Sequence, residues 1–327
     1  MNSQLRQDIV SGDWIAIAPG RAKAHLQALK KRVKRKIAPV RTCPFEDLQK
    51  SGHGKPILIY QDAGDWQLQI IQNRYPAFTH ENKCVSIGTD GPYAITEAAG
   101  HHDLIVTRDH NRNFSQLDSL AATQIFRAFR ERYQMFLSDQ CLAYASFFHN
   151  WGPTAGASMY HPHYQIIATP IIPPDVMHSL LGSLKYSQTH SKCVHCVMLE
   201  WELTQKKRIL YEDDIVVAYA PFVSKNPFEI RIYPKKHSSY FEEVSDILLS
   251  HIVMALQYTL QRYVKKLRDP DYNFFVHTAP IQDKKKYSMY HWHIEVIPKV
   301  TTNAGFELGT GIEINVIDPD QAVEILK

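Results

Sequence analysis

The sequence predicts an α+β fold made of two similar halves, each a set of strands with one long helix. Three observations predict it: an order of motifs that occurs twice, a long helical stripe in each half, and a proline-led separator between them. In the first half the order is Cys43-Pro-Phe-Glu46, strands, His110 after a strand, a long helix, a Phe-Phe strand and His161-Pro-His163. In the second it is Cys193-Val-His-Cys196, strands, His237, a long helix, a Phe-Phe strand and His291-Trp-His293. An internal duplication is the simplest account, with halves at 1–172 and 173–327. The boundary falls within 173–192, where a polar stretch follows Pro173-Pro174.

Taken in order, the chain opens with a turn at Ser11-Gly12 and a strand in which Trp14, Ala16 and Ala18 alternate. Residues 56–60, 66–71 and 103–107 read as strands. From 116 to 138, apolar residues at 117, 120, 121, 125, 126, 129, 133 and 136 form the stripe of an amphipathic helix. Residues 143–149 form a strand that runs into a small-residue loop, and 160–167 form the next. Pro162 lacks an N–H, which favours an edge position or an interruption of the ladder and would leave that strand open to a ligand on one side. In the second half, strands are expected at 215–220, 229–233, 273–277 and 290–296, with a helix from about 243 to 268.

With 327 residues, 44% hydrophobic and 21% charged, the chain reads as an ordinary soluble globular protein of about two domains. No apolar run approaches the ~20 residues needed to cross a bilayer, and the N-terminus lacks an apolar signal core. A cytoplasmic protein without membrane partners is expected. The net charge of +4 is modest and owes much to the basic run at 23–41. That run reads as a solvated loop, since C₂H₂ spacing, Arg/aromatic interleaving and a domain-wide basic excess are all absent, so no nucleic-acid partner is expected. Five cysteines, an odd number, argue against a disulfide framework; together with seventeen histidines they point to metal.

The chemistry is expected in Asn150-Trp-Gly-Pro-Thr-Ala-Gly-Ala-Ser-Met-Tyr-His-Pro-His-Tyr-Gln165. Gly152 and Gly156 would let backbone N–H groups approach a phosphate, with Ser158 at the loop's end. Strand alternation would put His161 and His163 on one face. Zinc takes about four ligands, and Cys193, Cys196, His237 and His291 make one such set. The equivalent set in the first half is Cys43, Glu46, His110 and His161, with a carboxylate where a second thiolate would stand. His163 is then left free as a neutral nucleophile towards a phosphoryl group. Ser158, Gln165 and the loop N–H groups would stabilise the developing charge.

On these residues the sequence resembles the galactose-1-phosphate uridylyltransferase family of the histidine-triad superfamily over nearly its whole length. The likeness is carried by Asp8-Ile-Val-Ser-Gly-Asp-Trp-Ile15, Pro19, Arg21, Asn73, Asp109-His110, Asn150-x-Gly152 through Ser158, and His161-Pro-His163-x-Gln165. The resemblance implies two histidine-triad-like half-domains, each an antiparallel sheet with a long helix packed on it. It implies that His163 forms a nucleotidyl-histidine, that Ser158 and Gln165 hold the transferred phosphate, and that Asn73 and Tyr75 lie along the nucleoside. Asn150, Gly152 and Gly156 would belong to the substrate loop and His161 to a metal. The partners implied are a nucleotide sugar, UDP-glucose first, and a sugar 1-phosphate as acceptor; active sites of the family often draw on a dimer partner, so a homodimer is an open expectation.

Three departures from the family pattern leave the nucleotide and acceptor open. Tyr164 replaces the usual glycine, Glu46 replaces a cysteine, and the stretch from Ala304 through Gly309-Thr-Gly311 to Asn315 is closer to the ADP-glucose phosphorylase branch. An ADP-sugar phosphorylase using inorganic phosphate is therefore the alternative. A nucleotide-binding module without turnover is also open. His277 and His293 are expected to be structural.

Overall fold

Residues rich in β-branched and aromatic side chains form the strands, and pairing them builds one sheet that runs through both halves. The computed structural model describes residues 2–22, 27, 35–62, 64–80 and 84–327. The strands are β1 (Gln4–Gln7), β2 (Trp14–Ile17), β3 (Leu58–Asp62), β4 (Asp65–Gln72), β5 (Gly88–Asp90), β6 (Tyr93–Ile95), β7 (His101–Thr107), β8 (Tyr144–Trp151), β9 (His163–Thr169), β10 (Ile209–Glu212), β11 (Val216–Tyr219), β12 (Ile230–Pro234), β13 (Tyr272–His277), β14 (His293–Pro298) and β15 (Ile314–Asn315). Ten of them form an antiparallel sheet in the order β10-β11-β12-β14-β13-β8-β9-β7-β4-β3. Outward from the central β8–β13 pair, each side adds its strands in the same relative order, β9-β7-β4-β3 against β14-β12-β11-β10. A small sheet, β1-β2-β15, and a β5–β6 hairpin lie outside this frame.

The helices Ser119–Phe136 and Asp246–Leu267 cover one face. Each starts where a side chain satisfies a free N–H, Asp118 accepting from Ala121 and Ser245 from Leu248. Their apolar sides, with Phe126, Phe129, Leu256 and Tyr263, join Phe147, Tyr164, Phe274 and Ile294 of the central strands in one core. The opposite face is polar in its middle. Leu104, Gln165, Phe148, Phe275, Glu295 and Arg231 follow one another across it as directly paired residues, so Gln165 and Glu295 share a face three strand steps, or ~14 Å, apart.

Several expectations are corrected. β9 begins at His163, after Pro162, and is an interior strand between β7 and β8 rather than an edge. Of the two expected effects the proline has the interruption: it stops the ladder before the strand and does not open its side. In β2 the pleat is offset by one residue: Ile15 and Ile17 are buried, while Trp14 is 47% exposed. Leu120, counted in the helical stripe, is 65% exposed. The helix starts only at Ser119, after a separate turn at Phe114–Gln116 that Asn113 caps. The segment read as a polar separator contains the helix Pro174–His190. Cys84 and Cys141 form a disulfide, their Cα atoms 4.9 Å apart. An odd count in the sequence cannot foresee two thiols brought together by tertiary structure. Of the basic run, Lys23, Lys30, Lys31, Arg32 and Lys34 lie outside the described residues. Among the described residues, no helix is long and apolar enough to cross a membrane.

Candidate active site

The loop after β8 is shaped by glycine at its entry. Gly152 has φ +87°, and a Cβ there would collide with the Arg35 and Asp271 side chains. Gly156 closes the turn at φ +88°. The expected phosphate cradle of loop N–H groups is not formed by residues 154–157. Thr154 N–H donates to Asp271, Ala155 and Ala157 donate to the Gly152 carbonyl, and Gly156 donates to Pro153. A tight turn satisfies its own donors. Asn150 is held across the central seam, its Oδ1 accepting from Asn273 Nδ2 at 2.7 Å. Ser158 is exposed and lines a cavity with Gly152, Ala157 and Met159; His163 and Gln165 are not on that wall.

His163 opens β9. It is 6% exposed, and its Nδ1 lies 3.0 Å from the His161 carbonyl. A carbonyl can only accept, so Nδ1 carries the proton and Nε2 keeps its lone pair. Burial pushes the imidazole's pKa down, which keeps it neutral. The Phe45 ring lies edge-on to both His161 and His163, at centroid distances of 5.7 and 5.2 Å, so the two imidazoles do flank one side. Tyr164 points the other way, fully buried and stacked on His149 at 4.4 Å. It fills the core and does not line the site. Two residues on, Gln165 returns to the His163 face, its Oε1 3.0 Å from His102 Nε2. Asn73 Nδ2 is 3.1 Å from the same nitrogen, while Tyr75 is 79% exposed and gives its N–H to Asn73 Oδ1.

Both expected metal sets converge, each with its donor atoms within 4.8 Å of one another. In the first set, His110 Nε2 is 2.9 Å from the Ala38 carbonyl and His161 Nε2 is 2.7 Å from the Thr107 carbonyl. Both Nε2 atoms therefore carry protons, and both Nδ1 lone pairs face Glu46 Oε1, at 2.8 and 3.3 Å. Cys43 Sγ is 3.6 Å from His161 Nδ1. Two lone pairs, a carboxylate and a thiol pointed at one spot call for a cation. Ligands 2.0–2.3 Å from a tetrahedral ion stand about 3.3–3.8 Å apart, which these separations approach. The second set repeats the arrangement: His237 Nε2 is 2.9 Å from the Ser288 carbonyl, and the Nδ1 atoms of His237 and His291 lie 3.2 and 3.5 Å from Cys196 Sγ. Cys193 caps the helix Val194–Gln205, so one helical turn presents both thiols.

β14 carries a counterpart of His163 in a different setting. His293 Nδ1 is 3.1 Å from the His291 carbonyl, as in the first half. Its ring, however, is sandwiched between Tyr233 and His277 at 4.5 and 4.8 Å. Glu295 stands where Gln165 stands, 3.3 Å from Arg231 Nε. A carboxylate there, in place of an amide, repels a phosphate and offers it no N–H donor.

Sequence reasoning missed His102, Phe45 and Asn273 as parts of the site. Asn273 opens the strand expected at 273–277, and His102 could have been sought from its place in a strand beside Gln165. Nothing in sequence marks Phe45 beyond its position between Cys43 and Glu46.

A family model described as a domain of unknown function, DUF4921, matches residues 60–326. The chain is 31% identical over 329 residues, 99% of its length and 92% of the relative's, to an ADP-glucose phosphorylase of Arabidopsis thaliana. It is 28% identical to a galactose-1-phosphate uridylyltransferase of Thermotoga maritima, over 80% of this chain and 85% of the relative. A crystal structure of an ADP-glucose phosphorylase from Arabidopsis thaliana with bound ADP-glucose superposes with a TM-score of 0.83 at 29% identity, covering 99% of this chain and 98% of that one.

Proposed function

The chain belongs to the galactose-1-phosphate uridylyltransferase family, with features of its ADP-glucose phosphorylase branch, and from that premise we propose that it transfers a nucleoside monophosphate from a nucleotide sugar through His163. The observation that carries this is the locked tautomer of His163, neutral and with no partner for Nε2 among the described residues. Nε2 attacks the phosphorus that bears the nucleoside; the N–P bond forms as the bond to the bridging oxygen breaks, releasing sugar 1-phosphate. A phosphate oxygen of the acceptor then attacks the nucleotidyl-histidine, the N–P bond breaks, and the imidazole is recovered. Gln165 and Ser158 are the donors assigned to the phosphate oxygens, and Asn73, Tyr75, Asn150, Gly152 and Gly156 line the path of the rest of the substrate.

The sequence reading ranked UDP-glucose and a hexose 1-phosphate first. Whole-chain similarity to an ADP-glucose phosphorylase supports an ADP-sugar with inorganic phosphate as acceptor at least as well, and we rank that pair first. Zinc would be held by Cys43, Glu46, His110 and His161, and by Cys193, Cys196, His237 and His291. In such closed four-donor sites its contribution is structural, anchoring the turn before β9 and the helix after Cys193. The repeated strand order supports descent of residues 1–172 and 173–327 from one duplicated unit.

Intact mass spectrometry after mixing with ADP-glucose, and separately with UDP-glucose, tests the reading. An added nucleoside monophosphate that maps to His163 supports it. No adduct with either sugar, in protein that binds them, refutes it.

A further inference from the structure

We propose that His102 is a positioning residue that sets the side-chain amide of Gln165 for the transferred phosphate. The proposal deepens, and rests on, the transfer reading above. His102 lies on β7, paired with Ile167 of β9, so its side chain shares a sheet face with Gln165 one diagonal away. It is 7% exposed. Its Nδ1 is 3.1 Å from the backbone nitrogen of Ala77, and a backbone N–H can only donate. Nδ1 must therefore hold a lone pair, and in the neutral ring the proton sits on Nε2. That proton points at Gln165 Oε1, 3.0 Å away.

The consequence falls on the other end of the Gln165 amide. An amide whose oxygen is taken by an N–H has its NH₂ fixed as the group left to meet an acceptor. A phosphate oxygen is such an acceptor. Without His102, the amide of Gln165 could turn its oxygen towards the phosphate, replacing attraction by repulsion. The same imidazole ties in the nucleoside side of the site. Asn73 Oδ1 accepts from Tyr75 N–H at 3.0 Å, which turns Asn73 Nδ2 to within 3.1 Å of His102 Nε2. That nitrogen already carries a proton and offers no lone pair, so this approach is not a hydrogen bond and the proposal does not rest on it. Asn73 N–H also donates to the His102 carbonyl at 2.8 Å, so one residue holds the 73–77 loop by main chain and side chain together.

The test separates a positioning role from a merely structural one. In His102→Asn, the shorter amide can still accept from Ala77 N–H but does not reach Gln165. In His102→Gln, an NH₂ can occupy the place of Nε2–H. The rate of nucleotidyl-enzyme formation, followed by rapid-quench intact mass spectrometry, should fall about 10- to 100-fold in His102→Asn. It should recover to within about threefold of wild type in His102→Gln, with KM little changed in both. In a double-mutant cycle, His102→Asn combined with Gln165→Ala should be no slower than Gln165→Ala alone, because His102 acts through Gln165. Losses that multiply in the double variant would overturn the proposal, as would a His102→Asn protein that keeps the wild-type rate. A wild-type protein that gains no nucleotide would instead remove the transfer reading, and this proposal with it.

Discussion

His163 is locked to its neighbour in the motif: its Nδ1–H donates to the His161 carbonyl at 3.0 Å, while the His161 side chain is turned to Cys43 and Glu46. One residue thus anchors the turn through its side chain and sets the nucleophile's tautomer through its main chain. A metal held by His161 would therefore bear on His163 through geometry.

Replacing His163 by glycine should lower transfer by about 10³-fold or more, since the group that forms the covalent intermediate is lost. Steady-state turnover on folded protein checks this. More than a trace of activity in His163→Gly would remove the nucleophile assignment.

Metal-replete protein should contain about two zinc ions per chain by elemental analysis. Cys196→Ser should lose one of them. The thiolate-richer Cys193/Cys196 site should hold its ion against a chelator longer than the Cys43/Glu46 site does. Unchelated protein without zinc would contradict both assignments.

Stability should depend on pH through His149. Burial pushes its pKa down to about 3, while an unfolded histidine titrates near ~6.5. Between those values the unfolded state binds a proton that the native state does not. The contribution is therefore present above ~6.5 and lost as pH falls, at up to ~1.4 kcal/mol per pH unit. Urea unfolding at pH 7 and pH 5 should differ by about 2 kcal/mol more in wild type than in His149→Phe. Equal differences would show that His149 does not titrate in this way.

Denatured, chelated protein alkylated without reductant should take three labels, on Cys43, Cys193 and Cys196, and five after reduction. Five labels before reduction would mean that Cys84 and Cys141 are not bridged.

Rates with ADP-glucose plus phosphate should exceed those with UDP-glucose plus galactose 1-phosphate, by a measurable ratio rather than absolutely. Apolar contacts alone discriminate by only ~10–200-fold. A UDP pair faster by about tenfold or more would reverse the ranking.

The repeated motif order and the two sets of four candidate ligands were legible in the sequence, because each is a matter of residue type and spacing. Cys193 and Cys196 sit one helical turn apart wherever that helix packs, and His163 precedes Gln165 by one strand period. What only the tertiary structure decided are relations between segments far apart in the chain. β9 became an interior strand because β7 and β8 both pair with it, which no local feature of Pro162 could announce. The loop N–H groups were absorbed by Asp271 and by their own turn, and Tyr164 was turned into the core against His149. The two His-x-His motifs share one tautomer lock. His293 is stacked between the rings of Tyr233 and His277, with Glu295 two residues on, while His163 has a T-shaped contact with Phe45 and Gln165 two residues on. Spacing along a chain determines which groups can share a face; packing across strands determines which rings and charges surround them.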